Sequence, residues 1–160
     1  MPKQLILLML ILSSTVGCHD PNLFADYQDF TDRWPADQKA VFQIDSLGVK
    51  TAHLMIYIRN DHRYPFSNLF LIASLKDGDS LLSKDTLEYA MADARGAWLG
   101  SGFLEVKESK LWWKENFDLP SSKNLIVELE HAMRYNGTET GINALEGIVG
   151  VGFAVEEITQ

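Results

Sequence analysis

The chain is poor in cysteine, in positive charge and in long apolar sequence, and each shortage excludes something. There is one cysteine in 160 residues. An internal disulfide, a zinc finger and a cysteine-held iron–sulfur cluster are therefore out of reach. Lys and Arg total 14 against 22 Asp and Glu, a net charge of −8, and no basic run breaks that excess. Nucleic acid and anionic membrane surfaces are poor partners for such a surface. No GxSxG elbow, P-loop or HExxH motif is present. What is present is the composition of a folded domain: 22% charged and 11% aromatic residues, too apolar for disorder. The length suits one domain with a substantial core.

The amino terminus reads as an address. Lys3 precedes an unbroken apolar run from Leu5 to Leu12. Short residues follow, from Ser13 to Gly17, and then Cys18. This order is that of a secretory signal peptide. The run falls well short of the ~20 residues needed to cross a bilayer; a buried amino-terminal helix or strand is the alternative. Thr15-Val16-Gly17-Cys18 resembles the lipobox of bacterial lipoproteins, with Thr15 in place of the usual Leu. In such proteins cleavage precedes the cysteine and its thiol is lipidated. Acyl burial contributes about 0.8 kcal/mol per CH₂, so more than one chain is needed for stable anchoring. Removing residues 1–17 deletes one lysine and takes the net charge to −9. No Asp adjoins Cys18. The expected location is the outer membrane, facing the periplasm, with cell-surface display as the alternative.

The remaining sequence predicts an all-β domain. Expected organisation is a removed signal peptide over 1–17, the lipidated cysteine and a tether over 18–35, and a single domain over 36–160. Phe24, Tyr27 and Phe30 recur at three-residue spacing, which predicts a short helix within 22–32. Trp34-Pro35 stops it. Beyond that point period-two alternation dominates. Strands are expected near 40–44, 53–59, 66–75, 81–91, 111–119, 124–132 and 149–156. Asp77-Gly78 marks a hairpin. Seven or eight such strands predict an antiparallel β-sandwich, with the jelly roll among its forms. In 149–156, one face is Val149, Val151, Phe153 and Val155, and the other is Gly150, Gly152 and Ala154. That small face predicts a close neighbour.

Candidate sites are few. His19, His53, His62 and His131 show no metal-ligand spacing. Asp77, Asp79 and Asp85 read first as an Asp-Gly turn, with oxygen ligation of calcium as the alternative. Trp98 and Trp112 are the aromatics expected to be exposed, for a protein partner or for stacking on a sugar ring. A core position is equally open to Trp98. Asp45-Ser46-Leu47, Asp79-Ser80-Leu81 and Asp85-Thr86-Leu87 share one form. It resembles the Asp-Ser/Thr-apolar acceptor of O-glycans on exported Bacteroidetes proteins, which would make Ser46, Ser80 and Thr86 the modified residues.

Several ordered stretches together resemble one family. They are Tyr64-Pro65-Phe66-Ser67-Asn68-Leu69-Phe70-Leu71, Asp85-Thr86-Leu87-Glu88-Tyr89 and Met91-Ala92-Asp93. Gly96-Ala97-Trp98-Leu99-Gly100-Ser101-Gly102-Phe103 and Lys110-Leu111-Trp112-Trp113-Lys114-Glu115 follow, then Ala132-Met133-Arg134, Leu145-Glu146-Gly147-Ile148 and Val151-Gly152-Phe153. This set is similar to the gliding-motility lipoprotein family GldH of Bacteroidetes, over essentially the whole chain after Cys18. The resemblance implies a structural or interaction role in gliding motility and, by association, in adhesin secretion. It implies envelope partners from those machineries, no enzyme activity, no cofactor and no site residue beyond Cys18. A carbohydrate-binding lipoprotein using Trp98 or Trp112 is the second expectation.

Overall fold

The alternating stretches form strands in a computed structural model of the protein, which describes residues 20–102 and 104–158. There are ten: β1 (Asn22–Asp29), β2 (Arg33–Pro35), β3 (Ala40–Ile44), β4 (Thr51–Asn60), β5 (Asn68–Asp77), β6 (Ser80–Ala90), β7 (Lys107–Asp118), β8 (Leu125–His131), β9 (Ala144–Glu146) and β10 (Ile148–Glu156). One four-stranded sheet has the order β1-β10-β4-β7, the other β3-β8-β5-β6, and β2 pairs with β9. All pairings are antiparallel. Apart from the three-residue strands β2 and β9, eight strands remain. The first of these pairs with the last, the second with the seventh, the third with the sixth and the fourth with the fifth. That is one long antiparallel hairpin rolled upon itself, the arrangement of a jelly roll.

The core fills the space between the sheets. Trp34, Phe42, Leu54, Ile56, Ile58, Leu71, Val127 and Phe153 are essentially inaccessible. β5 lies between β6 and β8, with Leu69, Leu71, Ala73 and Leu75 buried on its inner face and Phe70 and Ile72 half-buried on the other. Phe30 stacks on Trp34 with ring centroids 5.7 Å apart, and Trp34 Nε1 donates to the Gln38 carbonyl at 2.7 Å. That hydrogen bond satisfies the indole while its rings remain in the core.

Two local expectations are corrected. The helix predicted within 22–32 is strand β1, paired with β10 from Asn22–Glu156 to Asp29–Gly150. A register shift between Asn22 and Phe24 accompanies Phe24 packing against Phe153 at 6.2 Å. Tyr27 instead lies over Gly152. Without β1, the β10 edge would be unpaired, so tertiary pairing overrides the three-residue spacing. The stretch read as a tether thus carries β1 and β2. The second concerns the strand expected near 111–119, where strict period-two alternation puts Lys114 on the same face as the exposed Trp112. Two register shifts between β4 and β7 break the alternation. Lys114 Nζ lies 5.5 Å from the Trp113 ring centroid and 2.8 Å from Asp85 on β6.

Asp85 links the two sheets at this side. Its carboxylate accepts Trp113 Nε1 at 3.0 Å and the Ser83 hydroxyl at 2.9 Å. Burial opposes its ionisation, but the hydrogen bonds from Lys114, Trp113 and Ser83 together hold its pKa below the usual carboxylate range.

The strand directions define two ends. Asn22 aligns with Glu156 and His53, beside the connections 45–50 and 119–124. Gly78 N–H donates to Asn124 O at 3.0 Å and Leu119 N–H to Lys50 O at 2.8 Å, tying these turns together. The opposite end carries 61–67, 91–102 and 132–143. The chain therefore enters the fold at one end and displays its longest loops at the other.

Candidate functional site

The far end is built on a rigid turn between β4 and β5. Arg63 donates to the Asp61 carboxylate at 2.6 Å and to Asp32 at 2.9 Å. The hydrogen bonds from the Arg63 side chain and backbone hold the Asp61 carboxyl below its ordinary pKa. Gly147 sits beneath the turn at φ +74°, and a Cβ there would collide with the Tyr64 backbone nitrogen. Only glycine tolerates both the dihedral and that approach. The Tyr64 hydroxyl donates to Asn68 O at 2.7 Å, and burial pushes its pKa up, so it stays protonated as a donor. An aromatic series runs outward from there. Trp98 packs on Tyr64 at 6.1 Å, Tyr64 on Phe66 at 5.6 Å, and Phe66 on Tyr135 at 5.9 Å.

The outer member of that series forms a ridge between two grooves. The first groove has a volume of about 660 Å³. Its floor comes from Phe66, Asn68 and Phe70, with Thr86 from β6, and Met133, Arg134 and Tyr135 wall it. Met133 Sδ lies 3.2 Å from the Phe70 N–H, which seats the 132–138 segment on the sheet. The second groove, about 620 Å³, lies across the ridge and includes Arg33, Ile142 and Glu146. Both volumes fall in the usual range for small-ligand sites.

A second polar cluster occupies the outer face of β10 and β4. Tyr57 OH donates to Glu156 at 2.8 Å, and Lys110 Nζ pairs with the same carboxylate at 2.8 Å. Burial, then the Glu156 bond, pushes the Tyr57 pKa up. Met55 is fully buried on this face although it is not part of the core between the sheets. Tyr27 lies over Gly152, and the Arg59 guanidinium covers the Tyr27 ring at 4.1 Å. The close neighbour expected at the small face is therefore an aromatic side chain rather than a backbone.

The sequence-predicted residues are dispersed over this frame. Trp112 is 52% exposed on β7, with the His53 ring edge-on at 5.0 Å. Trp98 is half-buried in the far-end aromatic series, so the two tryptophans engage different partners. Ser46 and Ser80 are exposed at the end where the chain enters. Thr86 is exposed in mid-strand, on the first groove. Asp77 accepts from Ser122 and Asp85 is engaged by Trp113 and Lys114. Among the described residues no group of three or more His, Cys, Asp or Glu could hold a metal ion. Cys18 and His19 lie outside the described residues.

Sequence reasoning missed the groove residues Phe66, Phe70, Met133, Arg134 and Tyr135. Four of them sit in stretches that carried the family resemblance, but those stretches are far apart in sequence. Only the β5–β8 pairing brings 66–70 beside 132–135.

The fold is a jelly roll whose first strand begins four residues after Cys18 in the sequence. The profile of the GldH lipoprotein family matches residues 22–155. The chain belongs to that family, and is thereby a gliding-motility lipoprotein. A Christiangramia forsetii protein, "Gliding motility lipoprotein GldH homolog", is 42% identical over 142 residues, covering 88% of this chain and 87% of the relative. "Gliding motility lipoprotein GldH" of Flavobacterium johnsoniae is 36% identical over 152 residues, covering 94% of each. The infectious bursal disease virus VP2 subviral particle matches at TM-score 0.39 and 12% identity, over 90% of this chain and 36% of that one. At that level the likeness carries no argument.

Proposed function

We propose that the protein is a non-catalytic, lipid-anchored interaction module of the gliding apparatus that works by position. Acyl chains on Cys18, exposed by signal-peptide removal, hold the domain to the outer membrane on its periplasmic side. The module engages envelope partners needed for adhesin secretion. The observation that supports this reading is where the chain enters the fold. Asn22 is already paired in the sheet, and four residues of extended chain span at most about 14 Å. An anchor at Cys18 therefore keeps the entry end close to the membrane. Strands of ten residues then place the far-end loops about 33 Å farther out, with the first groove reaching down to mid-strand. Membrane attachment falls to the lipid, because the acidic surface offers no basic patch.

The test is a chromosomal Cys18→Ala replacement, scored for fractionation, spreading and adhesin secretion. The expected result is a folded protein no longer pelleting with membranes, with loss of spreading and secretion. Retention in the membrane fraction refutes the anchor. Normal spreading and secretion by a released protein refutes the positional role.

A further inference from the structure

The arginines single out the far-end grooves. The chain has five arginines. Arg59 pairs with Glu108 at 2.7 Å, Arg63 with Asp61 at 2.6 Å, and Arg95 with Asp93 at 3.2 Å. Arg33 and Arg134 form no ion pair among the described residues, and these two line the two grooves beside the Phe66–Tyr135 ridge. Arg33 has Glu146 as its cross-strand neighbour. Arg134 has no such counterpart: the first groove is lined by no Asp or Glu at all, in a chain with 22 of them.

We infer that the first groove binds a uronate-bearing saccharide, with a sugar ring against Tyr135 and a carboxylate on Arg134. Tyr135 is 60% exposed, an aromatic surface available for stacking at little entropic cost. Thr86, Thr138 and the amide of Asn136 line the same groove and suit ring hydroxyls. The Asn68 amide nitrogen is engaged by Glu88 at 2.9 Å, which leaves its carbonyl oxygen as an acceptor. A neutral polyol is best held by carboxylate acceptors, and the lining has none. A carboxylate suits the planar fork of an unpaired arginine, which binds it bidentately. A polyanionic peptide would call for a track of cations, whereas one arginine amid rings and hydroxyls suits one carboxylate per sugar unit.

The source is a polysaccharide chain rather than a lipid headgroup, because the groove begins at mid-strand, about 17 Å from the entry end, and opens towards the far loops. That choice of source rests on anchoring at Cys18; the binding itself does not. The two readings therefore fail separately, one in calorimetry and the other in fractionation and spreading.

The experiment is isothermal titration of the lipidated protein in detergent with an α-1,4-linked trigalacturonate, a neutral galactose trisaccharide and poly-glutamate. Trigalacturonate should bind, and the neutral sugar about tenfold more weakly or worse. Arg134→Ala and Tyr135→Ala should each weaken binding by about tenfold, equal to about 1.4 kcal/mol. Both residues are exposed, so neither change threatens the fold. Arg134→Lys should recover part of the affinity. Absence of trigalacturonate binding, equal affinity for the neutral sugar or for poly-glutamate, or indifference to both alanine variants overturns the inference.

Discussion

Gly152→Ala is the substitution whose sign the structure decides against general expectation. Glycine within a strand is ordinarily worse than alanine by about 0.5–1 kcal/mol, so the change would usually stabilise. Here Gly152 is paired with Tyr27 on one side and Tyr57 on the other. A Cβ would stand 2.5 Å from Tyr27 Cε1 and 2.6 Å from Cδ1. The ring must move, which disturbs its 5.8 Å contact with Tyr57 and the Arg59 guanidinium stacked on it. Overpacking costs about 1–3 kcal/mol, and an exposed cation–π contact contributes about 0.5–1 kcal/mol. Set against the backbone gain, the net loss should be about 1–2 kcal/mol. In a Tyr27→Ala background the obstacle is gone, and Gly152→Ala should be neutral or stabilising by about 0.5 kcal/mol. Urea unfolding of the four proteins of the double-mutant cycle measures this, with unchanged m-values as the condition for comparison. The coupling expected, about 1–2 kcal/mol, clears the ~0.5 kcal/mol scatter of additive sites. Equal costs in the two backgrounds, or a gain in stability for Gly152→Ala alone, would refute the reasoning.

Two further predictions use the same measurement. Asp85→Ala removes the acceptor of Trp113 and the partner of Lys114 and should cost about 1–2 kcal/mol. Asp85→Asn keeps an acceptor oxygen and should cost less than half as much. Because the Asp85 carboxyl is held below its ordinary value of 3.8, its contribution is present above that value and lost as pH falls through the depressed one. His131 is buried, packed edge-on to Trp34 at 5.4 Å, and burial lowers its pKa from 6.5. Its unfolded form therefore takes up protons first, so its contribution is full above pH 6.5 and declines as pH falls below it. The urea midpoint should drop between pH 7 and pH 5.5, and His131→Gln should flatten that slope; an unchanged slope would show that another group titrates.

Part of the architecture was legible because burial imposes a period. In β8, Leu125, Val127 and Leu129 face the core while Glu128 and Glu130 alternate with them, so the strand could be read directly. The Asp77-Gly78 turn was equally plain, since Gly78 sits at φ +56° between β5 and β6. β1 was not legible. Phe24, Tyr27 and Phe30 fit a helical spacing locally, and only the waiting edge of β10 converts the segment to strand. Lys114 was misplaced for a related reason: register shifts in β7 have no local signature strong enough to locate from one sequence. The tryptophans drew attention by type alone, whereas the groove is lined by Phe66, Thr86 and Met133, which come from three separated segments.

What the sequence determined by itself is therefore the set of properties carried by nearest neighbours along the chain. The all-β character, most strand positions and the family resemblance are of this kind, since each depends on local order or a period of two. Tertiary structure alone decided which strands roll together as a jelly roll, and hence which end β1 enters and which carries the grooves. It also decided that Tyr27 must lie over Gly152, that Asp85 bonds Trp113 on β7, and that Arg134 lines a groove without Asp or Glu among the described residues. These are relations between segments distant in sequence, set by burying both apolar sheet faces at once and pairing the exposed strand edges. No local pattern encodes such a relation, because its energy does not exist until the sheets close.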